Sequence, residues 1–412
     1  MARDPVRAIL NFNAGFDAAS LKRKLATITS SPFAFFRATF HLFAADLRDG
    51  PFSKFPVSAS SGRIVADLHT ENFGGFRGTS GDLVYDINDF DDTAANQPYE
   101  YDLRRLMTSI ILGGTESGVR IGDAVNAAET TALQYFGAIA KFAAAKKRQE
   151  LAELRDAAVV RKLLKVASEK PREAFMRSLA EPGPKDRFEF QPGNEHFRVV
   201  DGKIRSEAEK RFPFYMAHCD LPPNAKGTEY AFQDIVFRYA GKGSLGKDRY
   251  AILMSKGKAD FGSLRLVEWK DSSDSPLCAF ANGGKRNREV YEAALAFQLV
   301  PKRYLGYVSM FNRPMQAREI GANDCRFSHG QYKTAEKLEQ AASVFGGITA
   351  RAHLLGSMGV EGPRRFVARS GVTEERLAHR LVAFAVAYAS RVHEDYVEVK
   401  RRSAEIAKAW KA

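Results

Sequence analysis

Val65-Ala-Asp-Leu-His-Thr-Glu-Asn72, followed by Val84-Tyr-Asp-Ile-Asn-Asp-Phe-Asp-Asp92, is the stretch whose reading decides the fold. Asp67, then Asn72, then an acidic cluster at the end of a following strand form the pattern that metal-assisted phosphoryl transfer requires. One carboxylate orients the attacking hydroxyl, and an amide and a carboxylate hold Mg²⁺ against nucleotide phosphates. Asp86, Asp89, Asp91 and Asp92 put four carboxylates within seven residues, a density that raises pKa values unless cations intervene, and hard Mg²⁺ or Mn²⁺ suits oxygen ligands. An ordinary acidic turn of capping Asp and Asn side chains is the competing reading. Against it, Ile87 and Phe90 alternate with the acids, so part of the segment is packed while the carboxylates converge on one side. Asp102 opens the next helix and is expected to be its cap.

Working outward, Gly62 to Ala66 and Asp82 to Asp86 read as short β-runs, with the glycine-rich Phe73-Gly-Gly-Phe-Arg-Gly78 as loop between them. Upstream, Ser31-Pro32 signals a helix start, and Phe36, Phe40, Phe43 and Leu47 recur at helical spacing, predicting a single helix that ends near Asp49-Gly50-Pro51. Downstream, Leu103, Leu106, Met107 and Ile110 mark one face of a helix, and residues 123–170 read as two more. Phe197-Arg-Val-Val-Asp-Gly-Lys-Ile204 has the Asp-Gly of a tight hairpin. After about residue 230 the period changes to two. Asp234 to Tyr239, Asp248 to Met254 and Ser263 to Lys270 predict successive antiparallel strands, then a helix near 287–299, two further strands at 304–310 and 315–320, and helices over 334–356 and 373–409.

Gly241-Lys-Gly-Ser-Leu-Gly246 is a GxGxxG match lying between two strand patterns. A dinucleotide fold would need a helix there, so strand, glycine turn, strand is the better description. Without Cβ atoms such a turn folds closely over phosphates, although an ordinary hairpin tip has the same composition. Lys270 at the end of the third strand is in position to reach phosphates, with Glu289 or Glu292 on the next helix as its acidic partner. His69 and His353 lack metal-ligand spacing and are expected to be hydrogen-bonded structural histidines.

The bulk properties fit a chain with a sizeable core: 412 residues, 45% of them hydrophobic, are expected to form two lobes. A net charge of +13 suggests attraction to nucleotides, nucleic acid or acidic membrane surfaces without choosing among them, against the plainer reading of a basic but otherwise ordinary enzyme; the motifs, not the charge, put a nucleotide ahead of nucleic acid. Cys219, Cys278 and Cys325 form no CxxC pair, which argues against a disulfide framework and fits a reducing cytoplasm. The longest apolar run, Leu381 to Tyr388, is too short to cross a bilayer.

Asp67-Leu-His-Thr-Glu-Asn72, Ile87-Asn-Asp-Phe-Asp91 and Tyr101-Asp-Leu-Arg104 resemble the catalytic segment of aminoglycoside and choline phosphotransferases. Ser31-Pro-Phe-Ala-Phe-Phe-Arg37, Asp67 to Gly74, Asn88-Asp-Phe-Asp-Asp92 and Gly241 to Gly246 look like the bacterial domain-of-unknown-function family 2252, which is grouped with the protein-kinase-like fold. The resemblance implies Asp67 as catalytic base, and Asn72 and Asp89 as metal ligands assisted by Asp86 or Asp91. Lys270 would be the phosphate-binding lysine, with Glu292 ahead of Glu289 as its partner. Gly241, Gly243, Ser244 and Gly246 would form the nucleotide loop.

Two departures stand out: Val65-Ala66 replaces the His-Gly or His-Arg that precedes the kinase aspartate, and the glycine loop lies downstream of the catalytic loop. A circular permutation accounts for the second. The expected architecture is therefore an α+β, two-lobed, circularly permuted protein-kinase-like fold. Residues 1–230 would form a helical catalytic lobe, 231–322 an antiparallel β nucleotide-binding lobe, and 323–412 helices completing the first lobe. Both termini should then lie on one lobe. The expected function is ATP- and Mg²⁺- (or Mn²⁺-) dependent transfer to an unknown hydroxyl acceptor, either a small molecule or a protein. The rival readings are a non-catalytic, pseudokinase-like nucleotide-binding regulator and a metal-dependent phosphohydrolase.

Overall fold

The structure is a computed structural model that describes residues 3–57, 60–142, 158–240, 247–272, 274–277, 286–327, 331–357 and 362–410. The chain is a mixed α+β protein in which a helical body adjoins an antiparallel sheet. Among the described residues no helix is long and apolar enough to cross a membrane.

The helical body is organised around Glu100–Glu116, Ile121–Lys141, Ala335–Gly356 and Glu374–Arg401, which bury Leu103, Leu106, Tyr135, Phe345 and Leu381 in one core. Ser31 caps the next helix as its sequence predicts, its hydroxyl accepting the Ala34 N–H at 3.1 Å. The single helix expected from Phe36 to Leu47 is instead two, Pro32–Ala38 and Phe40–Arg48, broken at Thr39. The buried Lys24 ammonium takes the Ala38 carbonyl at 2.6 Å, and the Leu42 N–H turns to the Thr39 carbonyl. A side chain inserted into the i→i−4 ladder is a recognised cause of such a break.

Both ends of the described chain lie on this body. Arg3 pairs with Asp395 at 2.7 Å, and Arg402 with Asp4 at 3.1 Å, while Pro5–Phe12 packs on Glu374–Arg401 and Ser403–Trp410.

The sheet runs in the order Gly306–Met310, Arg313–Glu319, Leu264–Asp271, Arg249–Lys256, Tyr230–Arg238, Phe197–Val199, all antiparallel. The three strands read from period-two alternation and the two further ones expected after them are present; the sixth comes from upstream of residue 231. The hairpin expected at Asp201-Gly202 is a helix start: Asp201 caps Gly202–His218 by accepting the Ile204 N–H at 2.9 Å. Ile204, Ala208, Phe212, Tyr215 and Met216 recur at helical spacing and cover one face of the sheet against Val267 and Trp269. The opposite face is divided: Val236, Ala251, Leu253, Leu264 and Leu266 pack under Met176, Phe188 and Phe190. Its remaining half carries charges.

Phe73–Arg77, expected to be loop, is a strand paired with Leu83–Ile87. Its glycines permit close approach: Gly75 exchanges backbone hydrogen bonds with Cys325, at 2.8 and 3.0 Å, and a Cβ there would sit 2.5 Å from the Cys325 sulfur.

Candidate functional site

The loop carrying Asp67 is shaped by a buried carboxylate. Asp102 accepts the N–H groups of Val65 and Ala66 at 2.8 and 2.7 Å, and its Oδ2 lies 3.0 Å from His353 Nε2, whose Nδ1 is 2.8 Å from the Tyr135 hydroxyl. Asp102 is therefore an anchor of a distant loop and not the cap of its own helix. Ala66 adopts φ 73°, left-handed for a residue with a Cβ, and its N–H is one of the two that Asp102 holds. His353 is the structural histidine the sequence suggested. So is His69, with Nδ1 3.2 Å from Glu71 N and Nε2 3.2 Å from Arg37 Nε.

Asp67 accepts from Arg105 Nε at 2.6 Å, and the Arg105 guanidinium stacks 3.8 Å over the Phe36 ring. Burial pushes the Asp67 carboxyl up to about 7; Arg105 pulls against this and the Asp92 charge adds to it. Asn72 receives the His69 N–H on its Oδ1 at 2.8 Å and the Asn88 N–H on its carbonyl at 2.8 Å, tying the Asp67 loop to the acidic segment.

The acids of that segment diverge. Asp86 pairs with Arg351 at 2.9 Å and accepts the Leu299 N–H at 3.1 Å, away from the other carboxylates, so its expected assistance at a metal is corrected to a structural ion pair. Asp89 lines the cavity. Burial would raise its carboxyl, but Lys270, Arg318 and Arg249 hold it down at about 2. Asp91 contacts both Lys270 and Gln316. Asp92 is raised by burial.

Lys270 thus has a partner the sequence did not suggest. Glu292 pairs with Arg288 at 2.9 Å on an exposed helix face, and Glu289 lies 3.3 Å from Arg286. The place of Glu292 as lysine partner is taken by Asp91. Burial lowers the Lys270 ammonium to about 8, with Asp89 opposing. Gly241, Gly243, Ser244 and Gly246 lie outside the described residues; Ala240 and Lys247, which flank them, line the cavity.

Asp67, Asn72, Asp89 and Asp91 face Arg238, Arg249 and Arg318 across one cavity of about 510 Å³ between the helical body and the sheet. On the sheet side Arg249 pairs in register with Lys270, and Glu268 with Arg318. Glu268, 1% exposed, receives Arg238, Arg249 at 2.8 Å and Arg318 at 3.3 Å. These guanidiniums hold its carboxyl well below the ordinary carboxylate range despite its burial. Sequence reasoning missed the arginines. Their signal is parity: Arg238 closes one strand and Arg249 opens the next at positions that face the same side as Lys270.

Among the described residues no three of His, Cys, Asp and Glu converge as a metal cluster. Mg²⁺ bound with a nucleotide needs only one or two protein oxygens, the rest coming from phosphate and water. The Asp89 carboxylate and the Asn72 amide oxygen, which has a second lone pair beyond the one that accepts the His69 N–H, fit that requirement on the cavity wall, whereas both oxygens of Asp91 are engaged, one by Lys270 and one by Gln316.

Fold and site define an α+β protein whose polar cavity sets carboxylates on a helical body against a cationic antiparallel sheet. Residues 17–402 match the family of uncharacterized proteins conserved in bacteria (DUF2252), and the chain belongs to that family. Comparison with curated proteins and with solved structures finds no match.

Proposed function

We propose that the chain is a kinase-like phosphotransferase that uses ATP and Mg²⁺ to phosphorylate a hydroxyl acceptor. The observation that carries this reading is the convergence of Asp67, Asp89 and Asp91 on one cavity, with Lys270, far along the chain, buried behind that wall and paired with Asp91. Asp67 takes the proton of the acceptor hydroxyl as its oxygen bonds to the γ-phosphorus and the bond to the β-phosphate oxygen breaks. A carboxyl near 7 suits a base working at neutral pH. Lys270, oriented by Asp91, stabilises charge on the phosphates. Mg²⁺, held by Asp89 and Asn72, would neutralise phosphate oxygens.

A circularly permuted kinase-like fold is part of the same proposal. It is supported by the packing of the N-terminal helix on the C-terminal ones and by a catalytic loop that precedes the sheet in sequence yet faces it across the cavity.

The test is Asp89→Ala, expected to lose metal-dependent ATP turnover with an unchanged far-ultraviolet circular dichroism spectrum, alongside Asp67→Ala, expected to retain ATP-induced thermal stabilisation without turnover. Turnover that survives Asp89→Ala removes that residue from its role. The Asp67–Arg105 ion pair at 2.6 Å favours a second reading, a nucleotide binder without catalysis. Wild-type protein that binds Mg-ATP and transfers phosphate to no acceptor hydroxyl, and to no water, selects it.

A further inference from the structure

Glu268 is a single carboxylate shared by three guanidiniums, and all four side chains line the cavity. They occupy one face of the sheet. Arg249 stands in register with Lys270, Lys270 with Gln316 and Glu268 with Arg318, while Arg238 continues the row two residues beyond Val236, the partner of Ala251. Lys270 and Gln316 are both drawn to Asp91. Arg238, Arg249 and Arg318 meet Glu268, and Arg318 also lies 3.9 Å from Asp89, so three guanidiniums here face two carboxylates.

From this wall we infer a polyphosphate subsite: Arg238, Arg249 and Arg318, splayed from Glu268, take the β- and γ-phosphates of a nucleoside triphosphate. The inference rests on the phosphotransferase reading for the nucleotide's role, and it moves the main phosphate contacts from Lys270 to the arginines. Guanidinium forks match phosphate oxygens two at a time, which makes several of them on one wall a better fit to a chain of phosphates than to a single carboxylate. Glu268 prevents the cations from folding back or repelling one another apart, so the forks are oriented before the ligand arrives. Asp89, whose carboxylate lies 3.9 Å from Arg318 while that guanidinium also donates to the Asn88 carbonyl, disfavours a bare polyanion and makes a divalent cation part of the ligand.

The experiment measures binding of ATP, AMP and inorganic tripolyphosphate, each with Mg²⁺, by isothermal titration calorimetry. Arg238→Gln and Arg318→Gln are the informative variants because their side chains keep 26% and 23% exposure and Glu268 retains two guanidiniums when either is lost; an unchanged far-ultraviolet circular dichroism spectrum checks that each variant is folded. Wild-type protein is expected to bind ATP and tripolyphosphate more tightly than AMP. Each variant should weaken the two polyphosphates by about ten- to a hundredfold, the size of a lost charge-assisted contact, and leave AMP nearly unchanged. Arg238→Lys, keeping charge without the fork, should recover only part of the loss.

Variants that bind ATP and tripolyphosphate as wild type does overturn the subsite, and if they also turn ATP over, the phosphotransferase reading stands alone. Tripolyphosphate binding that depends on the arginines, in a protein that transfers no phosphate, upholds the subsite and removes the enzyme. Wild-type protein that binds neither polyphosphate removes both.

Discussion

Asp102 beneath the helical wall and Glu268 beneath the sheet wall are both buried carboxylates, yet one receives two backbone N–H groups and a histidine while the other receives three guanidiniums. Asp102 acts on shape: it holds the loop through Val65 and the left-handed Ala66, and thereby points Asp67 into the cavity. Glu268 acts on charge, gathering cations that would otherwise repel. The aspartates between these walls follow the same division. Asp67, beside Asp92 on the helical wall of the cavity, is raised to about 7 by desolvation, while Asp89, near Lys270 and the arginines, is lowered to about 2. One residue type thus holds a proton toward neutral pH in one place and a permanent charge in the other.

The largest effect that tests this contrast is on stability. Glu268→Ala removes the one carboxylate on which three guanidiniums converge and should cost about 3–5 kcal/mol in chemical denaturation. Asp102→Ala leaves two loop N–H groups without their acceptor and should cost about 2–4 kcal/mol. The functional losses should separate as well: Glu268→Ala weakens ATP binding, and Asp102→Ala slows turnover with ATP still bound. Two variants with the same pattern of loss would collapse the distinction between shape and charge.

The pH dependence gives a smaller and sharper test. Turnover expressed as kcat/KM should rise through about 7 as Asp67 loses its proton and fall beyond about 8 as Lys270 loses its own. Each limb should change by about tenfold per pH unit where a single group controls it. Lys270→Arg, charged throughout, should abolish the falling limb in whatever activity it retains. Stability carries the opposite sign for the two aspartates. Between its ordinary 3.8 and about 7 the folded Asp67 keeps a proton that the unfolded chain has lost, so stability declines as pH rises through that window, and Asp67→Asn flattens the decline. Asp89, lowered from 3.8 to about 2, contributes stability above 3.8 that disappears as pH falls through about 2. A turnover profile with no rising limb near neutrality would remove Asp67 as the base.

What the sequence made legible was whatever depends on local periodicity or on a dense local cluster. Three strands between Tyr230 and Asp271 were legible from a period of two, and Asp67, Asn72, Asp89 and Asp91 stand close enough along the chain to suggest one site. Three of the failures have a common cause, a partner outside the local sequence pattern. Thr39 interrupts a helix because Lys24 takes a carbonyl in it, Asp102 anchors a loop instead of capping its own helix, and Asp86 is claimed by Arg351. Asp201-Gly202 failed differently: an Asp before Gly serves a tight turn or a helix N-terminus, and the apolar spacing of Ile204, Ala208 and Phe212 decides for the helix. The arginine wall was readable only as parity on three strands whose order had first to be known.

The smallest expected effect bears on which acid serves Lys270. Glu292 forms an i,i+4 pair with Arg288 on a face where the two side chains are 44% and 62% exposed, and such pairs contribute a few tenths of a kcal/mol. Glu292→Ala should therefore change stability by less than about 0.5 kcal/mol and leave ATP turnover as in wild type. Asp91→Ala is the counterpart, because it takes the contacting carboxylate from a lysine that is 2% exposed and should reduce both stability and turnover. If instead Glu292→Ala abolished turnover, the Arg286–Phe297 helix would have to rotate so that Glu292 exchanged solvent for the sheet, breaking the Asn287 side-chain bond to the Val308 carbonyl at 2.8 Å. That bond makes the rotation costly and assigns the acid of the lysine pair to the same short segment that carries Asp89.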